Sequence, residues 1–248
     1  CDWSSDVCSS DLKKDPQIRI VKDGPYIVTG NVPLYEKIIT PHGEKSYVYE
    51  DGQELPQANT YTLCRCGKSK NPPFCDGRHI KEGFDGTETA SKDNYVDRVK
   101  QRILGPDMEL YDDGRCAYAR FCHREAGDAW ELVEMTGEDE DLREEAIKAA
   151  CQCPTGRLVL TDDEGNVIEP DYDPAAEILQ DPEKSVSGPV AVKGYIPLVS
   201  ADGDTYEVRN RIALCRCGQS KNMPFCDGQH WHKGFQDGLY KFDKSDQD

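Results

Sequence analysis

The sequence predicts an α+β fold: two small, mostly β modules with a smaller α+β segment between them. Three observations carry that prediction. LCRCGKSKNPPFCDGRH at 63–79 returns as LCRCGQSKNMPFCDGQH at 214–230, with Cys, Cys, Cys and His at identical gaps. A second echo, GPYIVTGNVPL at 24–34 and GPVAVKGYIPL at 188–198, extends the repeat well upstream of the cysteines. Between the two copies, strand-like alternation gives way to helical spacing. With 248 residues, 37% hydrophobic and 31% charged, the chain can bury a core and form two or three compact units.

The elements follow in order. Each module reads as a short apolar strand pair, YIVTGNVPL or VAVKGYIPL, then a further strand running into the cluster, NTYTLCRC or RNRIALCRC. The first copy carries a longer segment, ITPHGEKSYVYEDGQELPQA, expected to be a surface loop. In the middle, DMELYDDGRCAYARFCHREAGDAWELV begins with a strand. EDEDLREEAIKAAC then places Leu142, Ala146 and Ala149 or Ala150 at helical spacing before Pro154 ends the run. RLVLTDDEGNVIE reads as a hairpin turning near 164–166, and the acids at 138–145 as a solvated helix face. The expected boundaries are a first module at 17–90, a middle domain at 104–170, a linker at 171–187 and a second module at 188–242.

A formal charge of -17 disfavours nucleic acid as a partner, because a phosphate backbone rewards basic faces. No stretch approaches the roughly 20 apolar residues that cross a bilayer, and no signal peptide is legible, so the expected location is cytoplasmic. Residues 1–12, CDWSSDVCSSDL, read as the in-frame translation of a sequencing adapter and as a non-native tail, which sets Cys1 and Cys8 aside. The other cysteines are grouped: Cys64, Cys66 and Cys75; Cys116, Cys122, Cys151 and Cys153; Cys215, Cys217 and Cys226. Grouping with nearby histidines points to metal or redox chemistry rather than a disulfide framework.

In an extended strand Cys64 and Cys66 point to one face and Arg65 to the other, so two thiolates can grip one metal. Cys75 and His79, four apart, reach one face if a helical turn begins at 73–76, whose N-terminus would aim its dipole at an anionic group. Gly67 and Gly77 let the backbone approach closely. Spacing alone leaves zinc in a Cys3His site as the rival, although paired structural zinc cysteines are usually two to four residues apart. His42, His123 and His232 have no matched partner and are expected to be ordinary surface residues.

Cys64, Cys66, Ser69, Pro73, Cys75, Asp76, Gly77 and His79 resemble the CDGSH (NEET) iron-sulfur signature, as do Cys215, Cys217, Ser220, Pro224, Cys226, Asp227, Gly228 and His230. Arg78 and Gln229 depart from the small residue usual before the histidine. The resemblance implies a 2Fe-2S cluster on each Cys3His set. It also implies a monomer whose two modules form an intramolecular pseudo-dimer, without the N-terminal helix of the membrane-anchored members. A neutral His in place of a thiolate should raise the potential and make the site sensitive to protonation.

Cys116 and Cys122, followed by Cys153-Pro154, resemble a divergent 4Fe-4S mono-cluster (ferredoxin-like) domain. Ala119 stands where a C-x2-C-x2-C run would place a cysteine, which implies a 3Fe-4S cluster, or a 4Fe-4S cluster with Cys151 as the candidate fourth ligand. No dinucleotide fingerprint or catalytic triad order is present, so the chain is not expected to be an enzyme. Electron transfer, cluster transfer or redox sensing is expected, with redox proteins or apo-acceptors of clusters as partners. The alternative is a zinc-stabilised interaction module.

Overall fold

The computed structural model describes residues 15–137 and 139–242; the 1–12 tail and Glu138 lie outside them. The first half contains β1 (Gln17–Ile20), β2 (Tyr26–Thr29), β3 (Leu34–His42), β4 (Ser46–Asp51) and β5 (Thr60–Leu63), followed by two single-turn helices, α1 (Arg78–Lys81) and α2 (Tyr95–Arg98). The middle holds β6 (Gln101–Leu104), β7 (Met108–Asp112), β8 (His123–Arg124), β9 (Gly127–Asp128), α3 (Ala129–Met135), α4 (Glu140–Cys151), β10 (Leu158–Asp162) and β11 (Val167–Ile168). The last part holds β12 (Ala175–Asp181), β13 (Val186–Lys193), β14 (Leu198–Val199), β15 (Arg211–Leu214) and α5 (Gln229–His232). The α+β prediction therefore holds, with the two longer helices, α3 and α4, in the middle segment.

The two modules are interlocked. One sheet runs β14-β1-β2-β5 and another β15-β13-β12-β3-β4. β14 of the second half pairs parallel with β1, Leu198 opposite Ile18, and β3 of the first half pairs parallel with β12, Leu34 opposite Ala176. Parallel partners need a long crossover, and each half supplies it by sending the strand after its Pro-Leu corner into the other's sheet. A single core results, in which Ile18, Tyr26, Val28, Leu34 and Leu63 pack with Ile178, Val190, Val192, Leu198 and Leu214.

Two expectations are corrected here. The segment 171–187 is not a linker: β12 occupies 175–181, is buried along almost its whole length and lies at the centre of a sheet. Its polar residues read as linker-like, yet each finds a partner from a distance. Lys193 pairs with Glu177 at 2.8 Å, Gln180 donates to Glu36 at 3.1 Å, and Arg120 pairs with Asp181 at 2.6 Å. The segment 39–58 is not simply a loop either, because the β3–β4 hairpin carries it to the sheet edge.

The middle segment is a four-stranded antiparallel sheet, β11-β10-β7-β6, covered by α3 and α4. Leu142 and Ile147 pack against a core that includes Ala146, Ala149 and Ala150, as the helical spacing requires. α3 starts at a capping box: the Asp128 carboxylate accepts from the Glu131 N–H at 3.0 Å, and Glu131 accepts in return from the Asp128 N–H at 3.2 Å. Among the described residues no helix is long and apolar enough to cross a membrane.

Candidate metal centres

β5 runs straight into the first cysteine pair, and alternation carries past its end. Cys64 and Cys66 bring their sulfurs to 3.7 Å. Arg65 turns the other way and is buried, donating to the carbonyls of Gly24 at 2.8 Å and Val21 at 3.0 Å. The return stretch is clamped to the same strand, with the Cys64 N–H donating to Pro73 O at 2.8 Å and the Cys75 N–H to Thr62 O at 3.0 Å. Cys75 Sγ then lies 3.4 Å from His79 Nδ1.

The helical turn begins later than its spacing suggested. α1 starts at Arg78, after Gly77 in a left-handed conformation (φ 81), so Cys75 lies on the loop before it and no helix N-terminus forms at 73–76. Two side chains brace that loop instead. Ser69 Oγ donates to Phe74 O at 2.6 Å, and Asp76 accepts from the backbone N–H groups of Lys70 at 2.9 Å and Arg78 at 3.1 Å. These bracing roles do not follow from ligand spacing, which singles out only the sulfurs and the imidazole.

The second copy repeats the geometry: Cys215 and Cys217 sulfurs at 3.6 Å, Cys226 Sγ to His230 Nδ1 at 3.4 Å, Ser220 donating to Phe225 O at 2.7 Å, and Asp227 accepting from Lys221 at 2.8 Å. The copies meet back to back through a bridge between Cys66 and Cys217. Gly67 (φ +72) makes the contact possible, since a Cβ there would stand 2.5 Å from Cys217 O.

Proton affinities within each pair are split. A hydrogen bond from Cys66, aided by the N–H groups of Ser69, Gly67 and Lys68, outweighs burial and lowers the Cys64 thiol to about 6, while its own donation and burial push Cys66 up. Cys217 does the same for Cys215, lowered to about 7. Burial raises Cys75, and raises Cys226 much further. Burial, with Arg216 nearby, lowers His230 to about 4, so its imidazole is neutral at pH 7, the form a metal takes.

The donors come as pairs: among the described residues no three of His, Cys, Asp or Glu converge as a single ion requires. A metal holding sulfur tetrahedrally at about 2.3 Å sets two ligand sulfurs about 3.8 Å apart. The observed 3.7 and 3.6 Å fit one metal per cysteine pair, leaving the Cys–His pair for a second metal. The donor set therefore suits a two-metal group.

In the middle segment Cys116, Cys122 and Cys153 line one pocket, together with Ala119, Trp130 and Arg157. Burial, then the neighbouring Cys153 and Cys116, pushes Cys122 up to about 12. Three soft donors around one cavity suit an iron-sulfur group. Cys151 does not join them. It sits on the last turn of α4 with Sγ 3.5 Å from Ile168 O, and burial raises it to about 11. The position of the missing central cysteine, Ala119, faces the pocket instead.

Comparison with known proteins finds matches over the same three stretches of the chain. The family model described as iron-binding zinc finger CDGSH type matches residues 23–80 and 187–231, and the model described as divergent 4Fe-4S mono-cluster matches 103–163. A mouse protein, CDGSH iron-sulfur domain-containing protein 3, mitochondrial, is 59% identical over 27 residues, covering 11% of this chain and 20% of that protein. A Drosophila ananassae protein, CDGSH iron-sulfur domain-containing protein 2 homolog, is 35% identical over 57 residues, covering 23% of this chain and 42% of that protein. The chain thus spans less than half the length of each of these relatives. No solved structure gives a significant match.

Proposed function

The chain is an iron-sulfur protein of the CDGSH type, in which two CDGSH segments flank a divergent 4Fe-4S mono-cluster segment; on that premise we propose that it is a non-enzymatic electron-transfer or cluster-transfer protein. Cys64, Cys66, Cys75 and His79 would hold one 2Fe-2S cluster, and Cys215, Cys217, Cys226 and His230 another. Cys116, Cys122 and Cys153 would hold a third, of 3Fe-4S type or of 4Fe-4S type with a ligand from outside this set. Such clusters, when bound, take up and release single electrons.

The observation that carries the reading is contiguity. The first pair touches the second across the Cys66–Cys217 bridge, and Ala117 of the middle loop packs on Cys226. Three sites in one interlocked body favour passage of electrons between them over three separate stores. The chain's own residues contribute position and environment: Arg65 and Arg216, each between its two cysteines in sequence, are buried on the opposite face and anchor the strand to backbone carbonyls, and the split affinities leave one thiolate of each pair ready for metal. Partners would be redox proteins or apo-acceptors of clusters, and the chain would act as a monomer.

The test mixes iron-loaded protein with an apo-ferredoxin, and separately with a flavin-dependent reductase and its reductant. Bleaching by the reductase without iron transfer supports the electron relay, and transfer to the apo-ferredoxin supports the carrier. The absence of both responses would overturn both readings.

A further inference from the structure

We infer that the loop from Cys116 to Cys122 is a cover over the second motif. The two repeats, alike in ligands, are then unlike in access: the first is the port at which a partner protein reaches a bound cluster, and the second is an interior station. The inference rests on the iron-sulfur reading for what is carried, and on geometry alone for the cover.

The duplication supplies its own control. Cys226 is 3% exposed and His230 5%, whereas Cys75 and His79 are only half-buried. Beside His79, Ile80 is 78% exposed; the equivalent Trp231 is half-buried against Tyr118, ring centroids 4.8 Å apart. Among the described residues a Cβ on Gly77 would meet nothing within 4 Å, while one on Gly228 would stand 2.1 Å from the Tyr118 ring. Both glycines have the same left-handed backbone, φ 81 and 85, so the difference lies in what covers them.

The cover is fastened at several points. Ala117 packs with Cys226 and Ala213. Arg115 stands 4.4 Å over the Phe225 ring, and Arg120 stands 4.3 Å over the Tyr47 ring. Arg120 also pairs with Asp181 at 2.6 Å and Glu183 at 3.3 Å. Tyr118 and Arg120 hold positive φ, 57 and 66, conformations that such residues keep only where surroundings impose them.

Hydrogen–deuterium exchange of the full chain, read by mass spectrometry, tests this with each repeat as reference for the other. Amides at 226–232 are expected to exchange at least about tenfold more slowly than those at 75–81, and Tyr118→Ala is expected to abolish that difference while leaving 75–81 unchanged. Equal rates in the parent protein, or a difference that survives Y118A, would overturn the cover. Should Y118A melt the middle segment, seen as lost protection at 108–112, Gly228→Ala and Gly77→Ala decide. G228A is expected to raise exchange at both 226–232 and 116–121, and G77A only at 75–81; matching effects of the two would overturn it. Exchange is read with or without iron, so protein free of iron and sulfide would defeat the functional reading and leave the cover standing.

Discussion

Replacing Arg211 by alanine should cost both stability and the middle site. Arg211 sits on β15, four residues before Cys215, and is 2% exposed. Its guanidinium donates to Ala150 O and Cys153 O at 2.8 Å each and to Leu158 O at 3.0 Å, and it pairs with Glu169, with Nε 2.9 Å from that carboxylate. One side chain therefore ties the strand of the second motif to the turn that presents Cys153. R211A would leave three carbonyls without this donor and a carboxylate that is 13% exposed without its cation. Removing one partner of such a pair costs about 3–5 kcal/mol, because the survivor stays buried and uncompensated. The equivalent position in the first copy, Thr60, is exposed, and T60A should change stability by no more than about 0.5 kcal/mol. Urea unfolding of the three proteins measures the difference, and iron content after purification reports the middle site. The double variant R211M/E169L should recover part of the loss, since it removes the stranded charge. A loss below about 1 kcal/mol in R211A, with unchanged iron, would refute the tie.

Other outcomes follow from single contacts. Ala119→Cys places a fourth thiol in the pocket of Cys116, Cys122 and Cys153, so the variant's middle site should show 4Fe-4S character in electron paramagnetic resonance, with a gain in iron over a 3Fe-4S parent and none over a 4Fe-4S one. Cys153→Ser should abolish that signal and Cys151→Ser should spare it, because only Cys153 lines the pocket. The buried Tyr26 hydroxyl donates to Cys215 O at 2.8 Å, across the interlock, and Y26F should cost about 1–2 kcal/mol in urea unfolding. Burial alone would raise the Asp237 carboxyl, but the charge and hydrogen bond of Arg216 override it and hold it below the usual range. Its contribution is therefore complete above the unfolded value near about 3.9 and is lost as pH falls through the lower folded one; D237N should flatten that part of the acid limb of a stability–pH curve.

The two ligand sets were legible because they recur: Cys, Cys, Cys and His cannot repeat in register by accident, and strand alternation separates Cys64 and Cys66 from Arg65 without any tertiary information. The braces needed coordinates, since Ser69 and Asp76 act on backbone groups of a loop whose shape no local pattern dictates. β12 was hidden for a different reason. Glu177, Gln180 and Asp181 look solvent-seeking until Lys193, Glu36 and Arg120 arrive to meet them, and parallel pairing with β3 joins strands far apart in the chain. The helical turn begins later than a spacing of four suggests, because that spacing fits a helix or a braced loop equally well. Cys151 misled by nearness to Cys153, although the end of α4 turns the two thiols apart. The capping box of Asp128 and Glu131 was a readable signal for α3 that the long acidic background obscured.

The central claim is that three thiolate sites in one body hold iron-sulfur clusters. Iron, zinc and sulfide analysis of anaerobically purified protein lacking residues 1–12, with electron paramagnetic resonance on the same sample, tests it most directly. Stoichiometric sulfide, more than about four irons per chain, and a signal distinct from that of the 2Fe-2S pair are expected. Colourless, zinc-rich protein without sulfide, unchanged after anaerobic reconstitution with iron and sulfide, would contradict it.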